Sequence, residues 1–465
     1  MNDQPRVVVV GGGFGGLAAV KQLRSVPVQI TLVDRRNYHL FQPLLYQVAT
    51  GVLSPANIAS PLRGILRHQK NCRVMMNEAT DFDLVNRQVI LDGAEPLSYD
   101  WLIVAGGATH GYFGHDEWAE FAPGLKTIED ATEIRKRILY AFEAAECEPN
   151  EARRRAWLTF VIVGGGPTGV EMAGALSDIA HYTLRHDFRT INPRDARILL
   201  IEASAYPLDM YGGDLPKRTL DTLTKLHVDV RTLTKAVEIR EGSVVLDHQG
   251  TRETVETETV MWAAGVKASP LAGKLAMGSG AQIDRAGRVP VGADLTLAGF
   301  PNAMVIGDMA TALQDGKPLP GLAPVAMQQG KYVARRIEAQ LRGRPTPDFH
   351  YHDRGTMAVI GRYRAVVQVG ERRFFGLLAW LMWLVIHIVE ITQFRNRVLV
   401  FMQWGWTFFT RDRAARLITG ETDARLPEPE RSQTPLSTSE PLHAETPPPA
   451  VASIGTPNKV HTDVQ

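Results

Sequence analysis

A chain of 465 residues has room for two or three domains with substantial cores. With 45% hydrophobic residues, 22% charged residues and a net charge of +1, it is neither a low-complexity chain nor a broadly basic one, so nucleic acid is not an expected partner. The cysteines Cys72 and Cys147 stand far apart with no C-x-x-C, which argues against a disulfide framework, a metal site or a dithiol relay and makes a reducing compartment the default.

The first apolar run, Val7-Val8-Val9-Val10, starts within a few residues of Met1, so no signal or transit peptide is expected. Its composition suits a strand buried on both faces. Gly11-Gly12-Gly13-Phe14-Gly15-Gly16 then satisfies G-x-G-x-x-G, and Leu17-Ala18-Ala19-Val20 reads as a helix packed on that strand. In such a unit Gly11 permits the tight turn, Gly13 lets the backbone approach a pyrophosphate and Gly16 allows close helix packing, while free helix N–H groups face the phosphates. A second apolar run from Val28 ends in Asp34, placed to accept from ribose hydroxyls. Strand, loop, helix, strand and terminal acid together predict a dinucleotide site.

Arg35 to Gly51 is aromatic and Gln-rich without clean periodicity and reads as a lining segment or a packed loop. Tyr99 to Ala108 reads as a buried strand ending in small residues, and Ala131 to Ala145 as a helix. Then the pattern restarts. Leu158 to Val163 runs into Gly164-Gly165-Gly166-Pro167-Thr168-Gly169, a second full fingerprint, and Val170 to Leu176 continues as helix. The following strand, Arg197 to Ile201, is capped by Glu202 after an insertion from His181 to Pro193. A carboxylate there accepts from the 2′-hydroxyl of NADH and repels a 2′-phosphate, so NADH is favoured over NADPH. Glu171 follows Gly169 in what should be the helix's first turn, where the dipole favours a carboxylate.

Thr259 to Val266 and Ala303 to Ile306 read as further strands, the second closed by Gly307-Asp308, and Leu322 to Gly330 opens a helix running to Ile337. From Phe374 to Ile386 the chain is apolar all round, but His387 and Glu390 end the run before the ~20 residues a bilayer span needs, so an interfacial helix is expected. His387 and Glu390, one turn apart, read as a solvated face. Beyond them Asn396, Gln403, Thr407 and Thr410 form a narrow polar stripe on a helix whose other positions are apolar. Residues 353–416 hold ten arginines against four acids, a composition that an anionic bilayer surface attracts; a homodimer interface would also cover such an apolar arc. Residues 421–465 are rich in Pro, Ser and Thr and are expected to be disordered.

In the order of these motifs the chain resembles the type II NADH:quinone oxidoreductases over roughly residues 5–420. His39 to Pro55 resembles that family's flavin-covering segment, Asp187-Phe188-Arg189 its characteristic insertion, Gly307-Asp308 its second FAD signature and Phe394-Arg395-Asn396-Arg397 part of its monotopic anchor. Its Ala-Gln-x-Ala-x-Gln motif is matched by Ala323, Ala326 and Gln328, with Pro324 replacing the first glutamine.

The resemblance implies an α/β fold with two Rossmann-like domains, for FAD and NADH, and a C-terminal helical membrane-anchoring region. The expected division is 1–112 and 268–348 for FAD, 113–267 for NADH, and 349–420 for the anchor. It implies FAD contacts from Gly11, Gly13, Gly16, Asp34, Leu44, Asp308 and Ala326, NADH contacts from Gly164, Gly166, Gly169 and Glu202, and catalytic roles for Glu171 and Gln328 at a membrane quinone. Attachment through residues 374–416 to the lipid surface is expected, on the cytoplasmic face of a bacterial inner membrane. Two rivals stand beside this reading: a sulfide:quinone oxidoreductase, which needs reactive cysteines near the flavin, and a non-enzymatic redox-sensing flavoprotein.

Overall fold

Arg6–Val10 (β1) is buried over its four valines because a parallel strand lies on each side of it and packed layers cover both faces. The glycine turn leads into Phe14–Gln22 (α1), and Gln29–Asp34 (β2) pairs beside β1 with Val9 opposite Leu32. Leu45–Ala49 (α2) interrupts the aromatic segment; Cys72–Met76 (β3) then extends the sheet beyond β2, and Trp101–Val104 (β4) adds on the other side of β1. These come from the computed structural model, which describes residues 4–413 and 415–419; the expected disordered tail lies outside them.

The same plan is then repeated. After Ile128–Cys147 (α3), Thr159–Val163 (β5) feeds Pro167–Asp178 (α4), and Arg197–Ile201 (β6), Val228–Arg231 (β7) and Thr259–Trp262 (β8) complete a parallel sheet in the order β7-β6-β5-β8. Ile162 of β5 lies between Leu200 and Met261, as Val9 lies between Leu32 and Ile103 in the first sheet. Each parallel sheet is accompanied by a three-stranded antiparallel one, within residues 79–98 and 234–256. An antiparallel pair, Ala108–His110 with Val266–Ala268, carries the chain out to the second unit and back. Thr296–Leu297 (β9) and Phe300–Val305 (β10) finish the first sheet, in the order β9-β10-β4-β1-β2-β3. Ala323–Leu341 (α5) then lies against α1 so closely that a Cβ on Gly330 would sit 2.2 Å from the Gly15 carbonyl oxygen.

The C-terminal region departs from the helical expectation. Thr356–Gly361 (β11), Arg364–Val369 (β12) and Arg372–Gly376 (β13) form an antiparallel sheet, so Phe374 and Phe375 belong to a strand rather than to the apolar helix. The helix starts only after Gly376, whose φ of +78° makes the corner, and runs Leu377–Glu390 (α6); Phe394–Thr410 (α7) follows. This sheet lies directly on α4: a Cβ on Gly174 would sit 1.9 Å from the Ile360 carbonyl oxygen. One buried cluster joins Leu44, Phe142, Phe160, Ile360, Trp383 and Val400, tying both dinucleotide units and the C-terminal helices into a common core.

The polarity of α7 is inverted relative to a helix bathed in water. Asn396 is buried and donates to the Ala56 carbonyl at 3.1 Å, while Phe401, Met402, Trp406 and Phe409 are exposed. On α6 the outward residues are Leu377, Leu378, Leu381, Val385 and Val389, again apolar. At 14 residues α6 is about 21 Å long at ~1.5 Å per residue, and no described helix is long and apolar enough to cross a membrane. His387 corrects its expected place on a solvated face: it is buried, stacked on Trp383 at 4.3 Å with its Nδ1 2.8 Å from the Trp383 carbonyl, and burial lowers its pKa to about 4. Glu390 is exposed.

Candidate functional site

The two glycine loops are superposable in their contacts. Gly11 and Gly164 have φ of +101° and +111°, a region that only glycine enters without strain. A Cβ on Gly16 would meet the Gly11 carbonyl oxygen at 1.8 Å, and one on Gly169 would meet that of Gly164 at 1.8 Å. In contrast, a Cβ on Gly13 or Gly166, each the residue before its helix, would meet no protein atom within 4 Å. Each loop is therefore pressed against its own strand on one side and open at the helix N-terminus, with no acidic residue in the first turn of α1 or α4 to repel an anion. That geometry fits a dinucleotide pyrophosphate on each loop.

The terminal acids are fixed in matching ways. Asp34 accepts from Gly12 N–H at 2.6 Å and Arg36 N–H at 2.7 Å; Glu202 accepts from Gly165 N–H at 2.7 Å and Ser204 N–H at 2.6 Å. Each oxygen keeps a lone pair for a further donor. Burial raises the Asp34 pKa, against the two N–H bonds, which lower it.

Other predicted residues are more dispersed in character. Leu44 is fully buried in the core. Asp308 lies after β10 with Gly321 packed against its carboxylate and Lys126 near enough to feel its charge, which raises the Lys126 pKa against the lowering by burial. Ala326 is buried in the first turns of α5, with its carbonyl oxygen facing Gly15 and its Cβ facing Gly307. Pro324 occupies the first turn, where no N–H is required. Gln328 is committed to the main chain of His352: its Nε2 donates to the carbonyl at 2.9 Å and its Oε1 accepts from the N–H at 3.0 Å.

Glu171 stands apart. It is the fifth residue of α4, beyond the first turn in which the dipole acts, and so the expected support from the helix N-terminus is weak. Desolvation raises its pKa to about 8, while a hydrogen bond from Val359 N–H to Oε1 at 3.2 Å lowers it in part. Its charge bears on Tyr46 of α2 and on Tyr211, both buried phenols. The carboxyl thus sits where the first unit's covering segment, the second unit's helix and the C-terminal sheet meet.

Sequence reasoning missed several residues that shape this region. His39 is buried and its Nδ1 lies 3.0 Å from the Gly12 carbonyl, buttressing the first loop. Gln329, neighbour of the singled-out Gln328, is buried and accepts from Gly307 N–H at 2.7 Å, which orients the turn that carries Asp308. Trp404 of α7 donates to Gln47 Oε1 at 2.7 Å, and Gln47 donates to the Tyr46 hydroxyl at 3.0 Å. Apart from the Gln47–Tyr46 pair, these contacts join residues distant in sequence and gave no local signal.

The residues match a pyridine nucleotide-disulphide oxidoreductase model over 5–330 and an NDH2 C-terminal domain model over 353–412. The type II NADH:quinone oxidoreductase NdhA of Mycobacterium tuberculosis is 45% identical over 426 residues, covering 90% of this chain and 90% of that one. The chain belongs to the type II NADH:quinone oxidoreductase family. In three dimensions it is similar to NDH2 of Plasmodium falciparum in complex with NADH, with a TM-score of 0.81 and 19% identity over 90% of this chain and 100% of the other. The sulfide:quinone oxidoreductase of Aquifex aeolicus shares the fold at a TM-score of 0.68 and 20% identity. Against the sulfide reading, Cys72 pairs with Ile30 near the start of the strands, away from the carboxyl ends where the fingerprints lie, and burial raises its thiol pKa to about 11. Cys147 is exposed at the end of α3. Cys72 thus lacks the depressed pKa of a reactive thiolate, and the type II assignment stands over that rival.

Proposed function

We propose that this protein oxidises NADH and reduces a membrane quinone, with FAD on the first glycine loop and NADH on the second. The observation that carries the reading is the convergence of the second loop's helix, through Glu171, on the segment that follows the first loop. Gly13 and the N-terminus of α1 would take the FAD pyrophosphate, with Asp34 at a ribose and Asp308 at the ribityl chain. Gly166, the N-terminus of α4 and Glu202 would take NADH and disfavour a 2′-phosphate. When bound, FAD accepts hydride from NADH and delivers two electrons to the quinone.

The chain's own contribution is positioning and proton handling. With Oε1 of Glu171 accepting from Val359 N–H, the proton of the neutral carboxyl resides on Oε2, and at neutral pH it is held there for delivery to a reduced quinone. Ala323 to Gln329 would border the quinone, with Gln328 supporting the wall through His352.

The inverted polarity of α6 and α7 supports attachment to a lipid surface, since contiguous exposed apolar faces seek an apolar neighbour. The basic residues contribute less than their number suggests: Arg413 is 3% exposed and paired with Asp178, and Arg416 is paired with Asp187. We place that attachment on the cytoplasmic face of a bacterial inner membrane, a reading that the family likeness supports.

Stopped-flow measurement tests the activity: NADH should bleach flavin absorbance and a quinone should restore it. Bleaching with no recovery would reject quinone as acceptor. Sedimentation with anionic vesicles tests the surface. Phe401→Glu with Trp406→Glu should release the protein from lipid without slowing flavin bleaching, and undiminished binding would refute this face as the anchor.

A further inference from the structure

Beneath the end of α7, away from both glycine loops, lies a cavity of about 10 Å³ bordered by Thr50, Gly51, Arg135, Thr183, Arg413 and Arg416. Two of its three arginines have acidic partners: Arg413 pairs with Asp178 at 2.8 Å, and Arg416 with Asp187 and, at 3.5 Å, Asp412. Those acids face Arg413 and Arg416 and are not part of the cavity lining. Arg135, on α3, is 7% exposed, and among the described residues neither a hydrogen bond nor an ion pair reaches its guanidinium. The hydroxyls on the lining are already used, Thr50 donating to the Tyr46 carbonyl and Thr183 to the Arg411 carbonyl.

A buried guanidinium without a counter-charge is among the costliest arrangements in a protein interior, because it cannot discard its proton as a lysine can. Burial lowers the Arg135 pKa, and among the described residues no neighbouring acid acts to raise it. The cavity is at the lower limit for a single water molecule, so it admits no ion larger than a monatomic one and is too small for phosphate or sulfate. Water would supply an acceptor but no charge.

We propose that this cavity binds one small monovalent anion of halide size, held by Arg135 with Arg413 and Arg416 at its border. The site spans three parts of the chain. Arg413 also donates to the Thr50 carbonyl at 2.7 Å and to the Ala175 carbonyl at 3.1 Å, and Ala415 N–H donates to the Gly51 carbonyl at 3.2 Å. An anion here therefore fastens the segment after α7 to α3, α4 and the loop that follows α2, making the seat of the C-terminal helices dependent on halide.

The test uses the full-length, FAD-loaded protein prepared in sodium gluconate. At constant ionic strength, replacing gluconate by chloride or bromide should raise Tm along a saturable curve, and Arg135→Met should abolish that rise while leaving NADH oxidation with a soluble acceptor unchanged. A crystal soaked in sodium bromide should show an anomalous peak between Arg135 and Arg413. A Tm indifferent to the anion, or an equal halide response in Arg135→Met, overturns the proposal. If that variant fails to fold, the crystal decides: water alone in the cavity, or no bromine peak there, also overturns it.

Discussion

Glu171 offers a prediction whose size follows from its surroundings. An acid whose pKa rises from 4.5 in the unfolded chain to about 8 in the fold binds its proton more tightly when folded, so the folded state is unpenalised below pH 4.5. Between those two values the unfolded chain has released the proton and the folded one retains it; stability therefore falls as pH rises, and the loss is complete above about pH 8. At about 1.4 kcal/mol per pH unit the full span amounts to about 5 kcal/mol, an upper bound because the residue is partly exposed. Glu171→Gln removes the ionisation while keeping an oxygen that can accept from Val359 N–H. Reversible denaturant unfolding at pH 6 and pH 9 should show wild type losing a few kcal/mol that the variant retains. The variant's quinone-dependent reoxidation should also lose the pH dependence centred near 8. If wild-type and Glu171→Gln stabilities run parallel from pH 6 to pH 9, the carboxyl is solvated and the reasoning fails.

The paired loops give separable losses: Gly16→Ala, forcing a Cβ to 1.8 Å from the Gly11 oxygen, should yield protein without flavin, whereas Gly169→Ala should keep flavin and lose NADH saturation, as absorbance and titration would show. Glu202→Gln should narrow the preference for NADH over NADPH in kcat/KM by about tenfold, ~1.4 kcal/mol, by relieving repulsion of the 2′-phosphate; an unchanged ratio would refute the assignment. Gln328→Leu breaks two hydrogen bonds to His352 and should cost about 1–3 kcal/mol of stability, while slowing reoxidation by quinone more than reduction by NADH in stopped-flow traces.

Legibility in the amino-acid sequence tracked how local each cause was. The glycine loops could be read because the φ of Gly11 and the packing of Gly16 on Gly11 are settled within a few residues, and Asp34 and Glu202 because a strand end places them. Glu171 could be singled out by family likeness, but not its raised pKa, which comes from burial under segments distant in the chain and is only partly offset by the Val359 N–H. The sheet of β11 to β13 went unread although Ala365-Val366-Val367-Gln368-Val369 lies between Gly361 and Gly370, an ordinary hairpin signal obscured by the apolar run beside it. On α7 the polar stripe was plain, yet only tertiary contacts reveal that Asn396 faces inward. Arg413 looked like one more surface cation and is instead buried.

The contacts that seat α7 reach back almost the whole chain: Asn396 to Ala56 across 340 residues, Trp404 to Gln47 across 357 and Arg413 to Thr50 across 363. At about 5–20 residues per second, a ribosome needs ~20–70 s to travel between such partners. For that time the segment around Tyr46 and Gln47 has left the tunnel without its cover, and the shared core containing Leu44 and Val400 cannot close. A chain released by a stop codon within α6 would hold every residue of both glycine loops and still lack the helix that covers residues 46–56, so it would meet proteases as an unfinished fold rather than as a shortened enzyme.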